Sequence, residues 1–541
     1  MTFTIPRGLK DLNSLGFWLL VPCELSDVDI DRMMTPILEM AVRQGRKGTI
    51  RPDKLGYQYY LHELSTSEDL EGFRTPEGRG FLDGWVRTSV MKVSASEKME
   101  YMQPLTIATY RSGLVTRIRN RQADDLAYKS MVASLQRQGS ENPTAEIKQI
   151  FMDVFGRGVE LGPMPSATPE YDRVTEIDIN SLLQLVMLEK FEGSQKFPPQ
   201  REKVDKGFAV PGAILPIGSD ILRLLRFYGP KMPPAEAMSL LISVLSVRLF
   251  QMPLRLGAAA RKLLRGESCE DLENADADNP LEIFCDFTRE KGGPSDELSK
   301  RCIRRDLDNM RSFFTDRLLI RTLHESVGLM VDEKPDLSKM TSSEELKVAC
   351  SLRDNLYMKV ALRTHLMRIQ RALEDESGDE GLALLAEVED AGLSPADQLA
   401  AVLVEGLRAR GLKNQTLWFY TSGGISKPYG ILSGSIRSRA SWRYAPSDEL
   451  LTALLALCFV EPGGRRTVNR LPIGEVLARL ESRFGILVAK PPAMFDDPDA
   501  RAGAAANLEA FTRKLQLLGC FQSLSDDFSA QFVNRPREAA A

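Results

Sequence analysis

Between residues 406 and 447 the chain carries seven cationic side chains and no acid: Arg408, Arg410, Lys413, Lys427, Arg437, Arg439 and Arg443. Interleaved with them are Trp418, Phe419, Tyr420, Tyr429, Trp442 and Tyr444. Cations in such a run neutralise phosphates and release condensed counterions, while aromatic faces stack on bases. The glycines and serines of TSGGISKPYGILSGSIRSR would let backbone N–H groups come close to a phosphate. Just beyond, Arg465, Arg466 and Arg470 extend the basic stretch. The candidate phosphate contacts are therefore Lys427, Arg437, Arg439, Arg443, Arg465, Arg466 and Arg470, with Trp442 and Tyr444 as candidate stacking residues. No side chain identifies itself as a reader of base edges, so contact without sequence preference is the expected form.

A plainer reading of the same residues stands beside this one. Residues 372–405 hold ten acids and no Lys or Arg, so the basic segment could pair with them while its aromatics fill a core. A second contrast lies upstream: residues 208–266 have eight bases against two acids, and residues 267–297 have eleven acids against two bases. Separate patches of this kind suit docking of complementary surfaces, and a solvated loop explains the acidic part equally. Its DADN stretch lacks the spacing and terminal Glu of a calcium loop. A third basic run, YRSGLVTRIRNRQ, would place Arg117, Arg119 and Arg121 on one face of a strand, where they could follow a nucleic-acid backbone or guard an exposed edge.

Signatures of catalysis are missing. There is no GxxxxGK[ST], no GxSxG and no HExxH. His62, His324 and His365 are the only imidazoles, and the latter two sit within helical patterns. Ser89 and Lys92 match an S-x-x-K spacing without its companion elements. Glu146 and Lys148 match an E-x-K spacing, but TAEIKQIFMDVF reads as an amphipathic helix rather than a nuclease strand. No cofactor and no metal are expected.

These residues need elements to position them, and 541 residues are too many for one ordinary core. The pattern is mainly α, a multi-domain helical protein. Residues 1–135 form a mixed α/β part, 136–170 a linker with one helix, and 171–412 a helical body. Residues 413–447 are the basic, aromatic Gly/Ser-rich segment, and 448–541 order as helix, short strand, two helices and a hairpin around Asp526-Asp527. That is the order of a winged helix, although KPPAMFDDPDA is too long for the usual turn between its helices. Seven scattered cysteines read as reduced thiols of a cytoplasmic protein. The most apolar stretch, 235–254, contains Glu236 and Arg248 and reads as a buried helix, so no membrane partner is expected.

The C-terminal stretch SWRYAPSDELLTALLALCFVE…LPIGEVLARLESRFGILV resembles the ends of uncharacterised accessory proteins in bacterial anti-phage defence islands, of the methylation-associated or bacteriophage-exclusion type. The resemblance covers about the last hundred residues and carries no site residues. It implies partnership with DNA-modifying or DNA-translocating subunits. Together these observations predict a non-catalytic, nucleic-acid-associated subunit of a bacterial assembly, with DNA ahead of RNA and other protein subunits as partners. A protein-only adaptor and a metal-dependent nuclease built from carboxylates distant in sequence are the alternatives.

Overall fold

Proline positions organise much of the helical body. The computed structural model describes the chain except residues 1–4, 6–8, 10, 11, 13, 52–54, 114–118, 162–168, 192, 193, 197–205, 377, 378, 462, 465, 524–530 and 537–541. It is 61% helical, with seventeen α-helices and only short strands among the described residues, hence mainly α.

Helix Pro234–Leu264 opens on two prolines, where a missing N–H costs nothing, and continues through Pro253. Pro253 cannot donate to the carbonyl of Leu249 four residues back. The indole N–H of Trp418 donates to that carbonyl instead, at 3.1 Å. A similar repair holds helix Pro211–Phe227 against helix Ala123–Arg137. The Ser130 hydroxyl donates to Ile214 O (2.9 Å) and accepts from Gly218 N (2.8 Å), entering the ladder just past Pro216. Gly218 allows this because a Cβ there would lie 2.2 Å from the Met131 nitrogen.

Buried apolar side chains form two cores. The larger takes residues from Phe17 to Val533, and the smaller is built from Ile5, Leu9, Leu12 and residues between Phe314 and Leu407. The 34-residue helix Pro294–Val327 serves both, giving Cys302, Met310 and Phe313 to the first and Phe314, Leu318 and Leu323 to the second. All seven cysteines are free and buried. Among the described residues, Pro234–Leu264 is the one helix long and apolar enough to cross a membrane, and 89% of its apolar window is buried inside the protein.

Most predicted helices appear with small shifts. The Glu146–Lys148 segment is helix Pro143–Phe155, capped by Asn142 and with Glu146 paired to Arg226. Ser394 caps helix Pro395–Ser422 as its sequence indicates. The first long helix, Ile30–Val42, starts behind Asp29. A 3-10 turn at Leu352–Asp354 separates helix Ser342–Ser351 from helix Leu356–Asp375.

The C-terminal order is helix Asp448–Cys458, strand Arg470–Pro472, helix Ile473–Phe484, helix Pro498–Leu517 and strands Phe521–Ser523 and Gln531–Asn534. The last two pair antiparallel, and Arg470–Pro472 adds to the outer side of Gln531–Asn534. The long connection has its own task. Ile486–Leu487 pairs in parallel with Ile283–Phe284, and the Asn507 amide bonds Cys285 O (2.8 Å), Val488 O (3.0 Å) and the Phe287 N–H (2.7 Å). Those bonds stitch the C-terminal segment to the body.

Candidate nucleic-acid interface

Helix Pro395–Ser422 delivers the basic segment to the surface. It ends at Gly423, whose carbonyl accepts from both Ile431 N and Leu432 N at 3.0 Å, closing a tight loop. Gly424 sits at φ 64°, and a Cβ there would meet Gly430 Cα at 2.8 Å, so two glycines are required where the loop crosses itself. The chain then forms an antiparallel hairpin, Leu432–Ser435 with Ser438–Tyr444.

Two rings hold this hairpin from inside. Trp442 is buried, stacked on Phe419 at 6.2 Å and edge-on to Tyr420 at 5.9 Å, with its indole N–H donating to Ser435 O at 2.8 Å. Tyr444 is fully buried, and its hydroxyl donates to Asp306 at 2.8 Å. Burial and then the Asp306 charge push that hydroxyl's pKa well up. Neither ring has a face left for a base, which corrects their assignment as stacking residues: their apolar surface closes the core under the hairpin.

The cations divide between two clefts that share the hairpin. The first, about 420 Å³, is lined by Lys427 and Arg443 together with Arg289 and Lys514. Arg443 is mostly covered and faces Asp296 at 3.5 Å and Asp286 at 3.8 Å. Burial alone would raise Asp296, but the Lys300 hydrogen bond, the Gly292 N–H and the charges of Lys300 and Arg443 hold it below the usual carboxylate range. Lys427 is half exposed and pairs with Asp31 at 3.3 Å. Lys514 and Arg289 both approach Asp448.

The second cleft, about 330 Å³, holds Arg439, Lys413, Arg311, the Tyr420 ring and Gln415. Neither polar atom of the buried Gln415 amide has a hydrogen-bond partner. Such an amide is costly unless something completes its bonds. Arg311 is exposed and pairs with Asp308 at 2.8 Å. Arg437 stands exposed on the turn beside Ile436, which is 53% exposed. Arg437, Arg439 and Lys413 form no ion pair with any described residue.

The remaining candidates lie elsewhere. Arg466 pairs with Glu461, and Arg470 lies 4.0 Å over the Phe532 ring, so each is engaged within the C-terminal segment. Arg465 falls outside the described residues. The acidic stretch 372–405 meets the basic segment at Arg408–Glu405 (3.3 Å). The third basic run also turns inward: Arg119 and Arg121 pair with Asp27, and Arg121 with Glu24, while Arg117 lies outside the described residues. Ion pairing of this kind leaves Arg119 and Arg121 serving the N-terminal fold. Ser89 lies in a π-helical turn, and Lys92 pairs with Glu100 at 3.5 Å.

Sequence reasoning missed Arg289, Arg311, Lys514 and Gln415. Arg289 is set in an acid-rich stretch and the others in helices, so no local signal marks them. Only the packing around the hairpin brings them together.

A family model described as methylation-associated defense system protein MAD7 matches residues 10–537. The likeness seen in the last hundred residues thus runs through nearly the whole chain. No curated protein matches, and no solved structure does.

Proposed function

Because the chain belongs to the MAD7 family of methylation-associated defense system proteins, we propose that it is the non-catalytic subunit of its system that holds nucleic acid against its protein partners. The carrying observation is convergence: cations from five separate stretches of sequence, around 289, 311, 413–427, 437–443 and 514, surround one hairpin. A phosphate backbone crossing the hairpin would meet Lys427 and Arg289 on one side and Arg439, Lys413 and Arg311 on the other. The Gln415 amide and Tyr420 ring suit a nucleotide's edge and face at the second cleft. DNA is the favoured form, and the compartment is the cytoplasm, where the DNA of an invading phage is met.

The test is anisotropy of labelled single- and double-stranded DNA and RNA across a salt series. Affinity should fall linearly with salt on logarithmic axes. Replacing Arg437, Arg439 and Lys413 by Ala should weaken binding and flatten the slope by about one for each phosphate that is no longer neutralised. Unchanged binding and slope in that triple variant would reject the interface.

A protein-only adaptor is the second reading, and a different surface favours it. Leu356, Val360 and Met367 are exposed along one face of helix Leu356–Asp375. The C-terminal segment, which we read as winged-helix-like from its three-stranded sheet, also suits protein docking. Its helix Pro498–Leu517 exposes Ala502, Ala505, Ala506, Glu509 and Arg513, and its Arg501 is engaged by Asp496. A complex with a neighbouring gene product that survives nuclease, from a chain that binds no DNA at low salt, would put this reading first.

A further inference from the structure

A second arginine-rich cavity lies where three helices meet away from the hairpin. Helix Pro211–Phe227 supplies Asp220 and Arg223, Pro234–Leu264 supplies Arg248 and Arg255, and Ile473–Phe484 supplies Arg479 and Arg483. They line a cleft of about 300 Å³ whose apolar wall includes Pro216, Ala275 and Val460. That volume is at the low end for small-molecule sites.

Two of the five guanidinium groups are answered by their own carboxylates. Arg255 forks onto the buried Asp271, and Arg479 bonds Glu475 (2.8 Å) and the Cys458 carbonyl (2.7 Å). The other three share Asp220. Arg248 reaches it at 2.5 and 2.8 Å, Arg483 at 2.5 Å and Arg223 at 3.4 Å. One carboxylate facing three cations leaves the centre with an excess of positive charge, answered only in part by Asp276 at the rim. Arg223 Nε and Arg483 Nε are buried and hydrogen-bond nothing. Burial, opposed by the Asp220 charge, lowers Arg248 to about 10, and burial and then the Arg483 charge lower Arg223. The loop over the cavity leaves room beside Arg223, because Gly464 (φ 67°) has no Cβ, and one would stand 3.1 Å from Arg223 Nε.

The rim is of opposite sign. Asp276 pairs with Arg137 and Glu461 with Arg466, and the exposed Asp278 makes no ion pair with a described residue. A polynucleotide backbone laid across this mouth would be repelled. An anionic group at the bottom with a neutral, amino-bearing remainder at the rim would not.

We propose that this cleft binds a small phosphomonoester of mononucleotide size, its phosphate received by Arg223 and Arg483 and its amino-bearing end turned to the acidic rim. The site is separate from the hairpin and stands or falls without it. Calorimetric titration of the full chain with AMP, inorganic phosphate and adenosine tests it. AMP should bind once per chain, phosphate more weakly, and adenosine not at all; an oligonucleotide should not displace AMP. Arg223→Gln leaves Asp220 with Arg248 and Arg483 and should weaken AMP about tenfold or more, as loss of a charge-assisted bond does. Asp278→Ala, on the surface, should weaken AMP but not inorganic phosphate, and Arg437→Ala with Arg439→Ala should leave AMP binding unchanged. No AMP binding, adenosine binding as well as AMP, or undiminished affinity in a folded Arg223→Gln chain would overturn the proposal. Asp278→Ala leaving AMP and inorganic phosphate in their native ratio of affinities would also count against it.

Discussion

Arg439 and Trp442 stand three positions apart on one strand and do opposite work. Arg439 faces a solvent cleft, while Trp442 is 1% exposed and fastens the hairpin to Phe419. Composition alone makes both look like nucleic-acid ligands, because a run of cations and rings does not say which residues face inward. Trp442→Ala should therefore act on stability, costing about 3–5 kcal/mol in denaturant unfolding. Its residual folded fraction should keep the native salt slope for DNA. Glu39 gives a pH signature at the same scale. Burial raises its carboxyl to about 7 despite the Gly48 N–H and the charges of Arg43 and Lys47. An acid that holds its proton more tightly folded than unfolded stabilises the fold less as pH rises from the ordinary carboxylate range through its folded value. Thermal melting should show stability declining between about pH 5 and 8, and Glu39→Gln should flatten that decline.

Among the elements, the sequence was most informative where a cap and a period coincide. TAEIKQIFMDVF, read as an amphipathic helix from its period, is helix Pro143–Phe155 behind Asn142, and Ser394-Pro395 opens helix Pro395–Ser422. It was least informative where one element repairs another. Nothing near Pro253 announces that Trp418, far along the chain, will satisfy the Leu249 carbonyl, and nothing near Pro216 announces Ser130. The same blindness hid the role of the long C-terminal connection, whose strand pairs with residues two hundred positions earlier. Ser130→Ala removes the hydroxyl from the Ile214–Gly218 gap and should cost about 1–3 kcal/mol by leaving buried backbone groups unpaired. Gly218→Ala should cost at least as much, because its methyl would meet the backbone of a neighbouring helix, which cannot turn aside as a side chain can. Chemical denaturation of the two variants checks both.

Across the whole molecule, the mainly-α architecture was legible from composition and helical period, and the assembly of the cation-lined hairpin was not. Its contributors come from Arg289 to Lys514, so only the packed chain displays them as one surface. Helix Pro294–Val327 runs through that arrangement. Its Ser299 and Asp306 grip Tyr444 at the base of the hairpin, its Arg311 lines the second cleft, and its later turns form a wall of the smaller core. At 34 residues it is a rod about 50 Å long. The smaller core also includes Met358, Leu362 and Ile369, from the helix whose outer face exposes Leu356, Val360 and Met367. A protein seated on that face and a DNA lying on the hairpin therefore lean on opposite ends of one rigid beam. If either load tilts the beam, the two affinities become thermodynamically linked, and whatever factor the partner imposes on DNA binding, DNA must impose on the partner in return.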